Sequence, residues 1–174
     1  MRYTIKTKRL LLRPYRGEDE EALVRNINSK KVYRATLHIP YPYTAQDAKQ
    51  WIAKNRKLAK QKNPESVNFV IEMNGELIGG IGFDDVEKNH RAEIGYWLGE
   101  KYWGQGITTE AVRAVTKFGF EKLKLRRIYA CVYPFNKASM NVLKKSGYKF
   151  EGLIRKNVMK NGKLLDDYQF AKVK

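Results

Sequence analysis

The stretch Leu98-Gly99-Glu100-Lys101-Tyr102-Trp103-Gly104-Gln105-Gly106-Ile107-Thr108-Thr109-Glu110 constrains the fold more than any other part of the chain. An apolar run, Ile94 to Leu98, ends there, a Gly-x-Gly turn follows, and helical spacing begins at Ile107. Strand, glycine turn and helix in that order place a row of main-chain N–H groups and a helix N-terminus at a strand end. Such an arrangement suits an anion such as a pyrophosphate. Gly104 and Gly106 let the chain curl around it without a Cβ clash, and the amides of about residues 101–107 face inward. No Gly-Lys-Ser/Thr completes a Walker A loop. Alternatives stay open here: the glycines merely end a strand, Lys101 is an exposed lysine, Thr108 caps the helix, and Glu110 serves local capping.

The flanking pattern predicts a mixed α+β fold in which a mostly antiparallel sheet carries packed helices. Lys8 to Tyr15 reads as a first strand, and Glu18 to Asn28 as a short helix. Tyr33 to Tyr43, with Pro40 and Pro42, reads as a loop or lid. Thr44 and Asp47 resemble a capping box that opens a helix through Trp51 and Leu58. Val67 to Met73 and Leu77 to Phe83 flank Asn74-Gly75, a strong hairpin signal. Ala92 to Leu98 is a strand, Gly106 to Glu121 a helix, Ile128 to Val132 a strand and Ala138 to Ser146 a short helix. Two strands close the chain around Asn161-Gly162. No repeat or interdomain linker interrupts residues 1–174, so one domain is expected.

A second segment, Asn136-x-x-Ser139, follows the Ile128–Val132 strand. Asn136 has donors and an acceptor for the amides of an extended ligand arm, and Ser139 has a hydroxyl that suits a departing thiolate. Ser139 as a helix-start residue is the competing reading. Lys137, Lys144 and Lys145 either meet a phosphate or coat a solvated helix.

Charge and cysteine usage narrow the classes further. The chain carries 35 Lys/Arg against 18 Asp/Glu, a formal charge of +17, with the excess at both ends and an acidic middle third. The excess suits nucleic acid, a ribosomal surface or a polyanionic ligand, or else a solubilising lysine-rich face. One cysteine, Cys131, excludes an internal disulfide and a cysteine metal cluster, and no metal site is predicted. No run has the length of a membrane span, so a cytoplasmic protein is expected.

These segments together resemble the GCN5-related N-acetyltransferase (GNAT) superfamily, closest to its RimJ/RimL-like ribosomal-protein N-terminal acetyltransferase branch. The resemblance rests on Thr7 to Pro14, Glu93-Ile94-Gly95-Tyr96-Trp97-Leu98, Trp103 to Ala111, Asn136-Lys137-Ala138-Ser139 and Lys145-Ser146-Gly147-Tyr148. It implies acetyl-CoA as donor and a primary amine as acceptor; no metal is expected, and the oligomeric state stays open between monomer and homodimer. The implied donor site comprises Tyr96, Trp97, Leu98, Lys101, Trp103, Gly104, Gln105, Gly106, Ile107, Thr108, Asn136, Ser139 and Lys144. Lys101 stands where the superfamily usually has Gln or Arg. Leu143 stands where several branches have a tyrosine acid, so the leaving-group role passes to Ser139. Val158 stands where some ribosomal-protein enzymes carry a glutamate.

Attack on a thioester needs a neutral amine, hence a proton acceptor. Glu93, at the start of the strand leading to the turn, is the leading base candidate, with an exposed edge carboxylate as its competing reading. Asp84, Asp85, Asp166 and Asp167 are alternatives near strand ends, and Asp84 and Asp166 also suit a cationic acceptor. Tyr33, His38 and Tyr41 are placed at the acceptor entrance. The tetrahedral oxyanion is expected beside the strand-end amides of Tyr96 to Leu98, and the arm beside a strand that splays after Leu98. The expected acceptor is a protein N-terminus, ribosomal protein included. A metabolite amine or aminoglycoside is the alternative acceptor, and a non-catalytic RNA- or ribosome-binding module the alternative function.

Overall fold

The computed structural model describes residues 3–174. Its sheet runs in the order β1 (Ile5–Lys6), β2 (Leu11–Arg13), β3 (Val67–Met73), β4 (Glu76–Asp84), β5 (Arg91–Leu98), β6 (Arg127–Val132), β8 (Lys163–Val173), β7 (Lys149–Lys160). Every neighbouring pair is antiparallel except β5 with β6. The expected mixed fold is therefore the observed one. Asn74 and Gly75, both at positive φ, close the β3–β4 hairpin as their side chains allow.

Helices cover both faces, as a sheet with apolar residues on each side requires. On one face lie α4 (Ile107–Glu121) and α5 (Lys137–Lys145), burying Ile107, Val115, Phe118 and Leu143 against Phe83, Ile94 and Ile128. On the other lie α1 (Glu20–Ile27), α2 (Lys30–Ala35) and α3 (Ala45–Leu58), packing Leu23, Ile27, Val32 and Ile52 against Val70 and Leu77. The capping box of α3 forms as read: Thr44 Oγ1 accepts from the Asp47 amide at 3.2 Å, and the Asp47 carboxylate accepts from the Thr44 amide at 2.8 Å.

The loop reading needs correction. Residues 33–43 were expected to be all loop, but α2 extends to Ala35 and only 36–43 are irregular. The Ser29 side chain accepts from the Lys31 amide at 3.1 Å and Val32 is buried, so one cap and one apolar anchor make a helix too short to show a period.

The β5–β6 pairing is brief. Residues Arg91, Ala92 and Glu93 pair with Arg127, Ile128 and Tyr129, and then the strands part. β5 continues alongside β4 to Leu98, and β6 alongside β8. The splay thus begins after Glu93, not after Leu98 as the sequence suggested, because each strand keeps its antiparallel partner and gives up the parallel one.

Under the sheet's other end, Arg13 is buried between Asp19, bonded twice at 2.7 and 2.8 Å, and Glu72. Arg13→Met leaves two carboxylates without their cation, and urea unfolding should show a loss of about 3–5 kcal/mol. An unchanged midpoint would show that the trio contributes nothing net.

Candidate active site

The glycine turn exposes its amides as expected, over a narrower range. The amides of Tyr102 and Trp103 are consumed by Gly99 and Glu100 carbonyls in a short 3-10 turn, Glu100–Tyr102. Among the described residues, none supplies an acceptor to the N–H groups of Gly104 through Thr108. Gly104 and Gly106 take φ of +76° and +74°, a conformation other residues adopt only under strain. The turn is held from outside. Glu110 does not cap its own helix. Its carboxylate accepts from Thr7 Oγ1 at 2.7 Å and from the Arg9 amide and Nε at 3.0 and 2.7 Å. Arg9 also donates to the Gln105 carbonyl at 3.0 Å.

From this turn a single cavity of about 1070 Å³ runs through the sheet. Its lining includes both odd and even residues of β5 and β6, so it passes between the diverging strands from one face to the other. Gly95 stands at the gap, where an added Cβ would meet nothing within 4 Å.

On the turn side, Ser139 Oγ and Tyr96 Oη lie 2.8 Å apart. Burial pushes the Tyr96 hydroxyl up to about 12, so the pair remains protonated. Asn136 is the N-cap of α5: its Oδ1 accepts from the Ser139 amide at 3.1 Å, and this orients Ser139. The Tyr96–Ser139 contact was not legible in sequence, since no local spacing links positions forty-three apart.

On the opposite side, Glu93 occupies the crotch of the splay. Burial is the main cause that raises its carboxyl to about 7, Asp84, Asp85 and Asp167 add to the rise, and a hydrogen bond from the Cys131 amide opposes it. A carboxyl near neutrality is matched to taking a proton at ordinary pH. Cys131 is raised to about 12 by burial beside Glu93 and Asp167, which leaves it an inert thiol.

Glu93, Tyr96, Trp97, Leu98, Trp103, Gly104, Thr108, Asn136, Ser139, His38 and Asp84 all line the cavity. The others do not. Lys101 sits 3.5 Å from Glu76 and over the Tyr102 ring, engaged away from the turn. Gln105 Nε2 donates to the Lys101 carbonyl, and the Ile107 side chain is core, so only their amides face outward. Lys144 is exposed on α5. Tyr33 is bonded to Asn161 at the β7–β8 tip, and Tyr41 packs beside it on the outside. Asp166 is spent on the Lys156 amide in a β7 bulge at 2.8 Å. Its neighbour Asp167, on the opposite face of β8, is the buried carboxylate in the cavity wall. Alternation along β8 puts Asp167 on the face of the buried Ala171, opposite Asp166 and Phe170.

The raised Glu93 carboxyl has a stability consequence. The folded chain keeps this proton up to about pH 7 while an unfolded one sheds it near 4.5, so its contribution is complete below 4.5 and lost as pH rises through 7. Denaturant titrations at pH 5 and pH 8 should show Glu93→Gln gaining up to about 3 kcal/mol relative to the parent at the higher pH. A constant difference between the two pH values would contradict the raised carboxyl.

The family model described as an acetyltransferase (GNAT) domain matches residues 9–149. An uncharacterised N-acetyltransferase, p20, of Bacillus licheniformis is 33% identical over 172 residues, 98% of this chain and 96% of the relative. The crystal structure of a GNAT-family acetyltransferase from Bacillus anthracis is 31% identical, covers 98% of both chains and superposes with a TM-score of 0.85. Mycobacterium smegmatis RimJ, solved in complex with CoA-disulfide, is 26% identical, covers 98% of this chain and 87% of its own, and gives 0.86. With its sheet, splay and glycine turn in this arrangement, the chain belongs to the GNAT acetyltransferase family.

Proposed function

We propose that this protein transfers an acetyl group from acetyl-CoA to the amino terminus of a protein, in the manner of the RimJ/RimL-like branch. The observation that carries the reading is the single cleft that joins the free amides of Gly104–Thr108 to Glu93 through the β5–β6 gap. That the similar RimJ structure was solved in complex with CoA-disulfide supports a CoA thioester as the donor.

In this reading the donor supplies an activated acyl carbon, and the chain's own groups do the rest. The amides at 104–108 and the α4 dipole hold the pyrophosphate. The unpaired edge of β5 beyond Glu93 hydrogen-bonds the pantetheine arm as a neighbouring strand would. Glu93, directly or through water, takes the proton that the acceptor ammonium sheds on becoming nucleophilic. The nitrogen attacks the thioester carbonyl, and β5 amides stabilise the oxyanion. The C–S bond then breaks and the nitrogen sheds its second proton to water, while the Ser139 hydroxyl, held by Tyr96, hydrogen-bonds the departing thiolate, which takes its proton from water. Val158 lies on the cavity wall and has no proton to exchange, so the base role falls to Glu93 across the cleft.

Mass spectrometry of a peptide panel incubated with acetyl-CoA tests the reading, with N-terminal acetyl adducts as the supporting result. Adducts confined to small-molecule amines would replace the acceptor class, and no adduct with any amine would reject the enzyme. The rate should rise with pH through an acid limb near 7, the value at which Glu93 ionises. Glu93→Gln should lower kcat at least about a hundredfold and remove that limb. Ser139→Ala should lower kcat with little change in donor affinity, whereas Gly104→Val should weaken donor binding. Equal loss of donor affinity in both would contradict the assigned roles.

A further inference from the structure

The cavity's charge is opposite to that of the chain. In a protein with 35 basic and 18 acidic residues, the wall takes Asp47, Glu65, Asp84, Asp85, Glu93 and Asp167 but, among the described residues, only Lys54 as a cation. Asp47 is occupied by the α3 cap. Among the described residues, none forms an ion pair with Asp84, Asp85, Glu93 or Asp167, although lysines and arginines are abundant elsewhere. Asp84 and Glu93 are direct register partners across β4 and β5, so two carboxyls project side by side on one face. Like charges in directly opposed positions destabilise a sheet. They are also spread along the wall: no three acidic, histidine or cysteine side chains of the described residues converge to hold a metal ion.

A second observation is independent of charge. Tyr133 lines the same cavity and is 5% exposed, yet its buried hydroxyl has no hydrogen-bond partner. A buried phenol without a partner forfeits its hydration and gains nothing in return. A phenol both donates and accepts, and its proton needs an acceptor that an ammonium does not bring. A simple diamine brings donors to this place, whereas a peptide amino terminus brings a carbonyl next to its ammonium.

We infer that the acceptor is a peptide amino terminus with a basic side chain in its first few residues. Its ammonium meets Glu93 and Asp167, its first carbonyl accepts from the Tyr133 hydroxyl, and its basic side chain lies along Asp84 and Asp85. This inference rests on the N-terminal reading above and adds what distinguishes one terminus from another. The gradient from exposed Asp84 and Asp85 to buried Asp167 fits the order in which the second charge and the reacting amine are held.

The test is a set of short peptides with one free amino terminus, identical except for Lys, Ala or Glu at the second or third position. CoA release gives kcat/KM for each with the full-length enzyme. The expected order is Lys above Ala above Glu, with steps of about fivefold, the scale of a partly exposed ion pair. The Asp84→Asn/Asp85→Asn double variant, altered only at exposed positions, should bring the Lys/Ala ratio close to one. Tyr133→Phe should raise the peptide KM and leave the KM for acetyl-CoA in place. Peptides acetylated at equal rates whatever their charge would overturn this inference and leave the N-terminal reading standing. A diaminoalkane acetylated faster than every peptide would overturn both.

Discussion

Three rungs of parallel pairing between β5 and β6, followed by divergence, are the constraint on which this structure depends. Were the strands paired to their ends, the sheet would be continuous and nothing would connect its two faces. Their separation has a local chemical accompaniment. The Cys131 amide, two residues beyond the last rung at Tyr129, donates to the Glu93 carboxylate where continued pairing would spend it on β5 backbone. One side chain therefore both occupies the branch point and satisfies a buried donor there. The same placement removes it from water and raises its proton affinity, so the structural and chemical roles of Glu93 have a common cause.

The glycine turn depends on being held by groups that are not part of it. Glu110 ties the first turn of α4 to Thr7 and Arg9, and Arg9 holds the Gln105 carbonyl. On the other side Glu76, bonded to Arg25, Asn26 and Tyr102, is lowered to about 2 and fixes the short helical turn before Gly104. These carboxylates engage side chains and a neighbouring segment while leaving the amides from Gly104 to Thr108 unspent. An anion site built from backbone needs that economy, because a side chain folding into the turn would compete with the ligand.

Charge is sorted in the same way. The acidic middle third of the chain supplies Asp84, Asp85 and Glu93 to the cleft, while the basic ends lie in elements that surround it. Sequence revealed this asymmetry without its meaning, since only the fold shows which acids share a wall. Features governed by adjacent residues were legible: the Asn74-Gly75 hairpin, the Thr44–Asp47 cap, and the tight turn at Gly104 and Gly106. Features governed by pairing between distant segments were not. The splay appeared five residues early, α2 emerged from a stretch read as loop, and the cavity took Asp167 in place of Asp166. Asn136 and Ser139 lie together on the cavity wall, but the phenol that meets Ser139 comes from β5, on the far side of the cleft.

The central claim is that the edge of β5 beyond Glu93 is unpaired and receives the donor's arm as a strand. Amide hydrogen exchange of residues 94–98, measured with and without saturating acetyl-CoA, addresses it directly. Slowed exchange at those β5 amides not already bonded to β4, together with the amides of 104–108, is the predicted result. Protection confined to 104–108, with β5 exchanging as fast as before, would place the arm elsewhere and contradict the account.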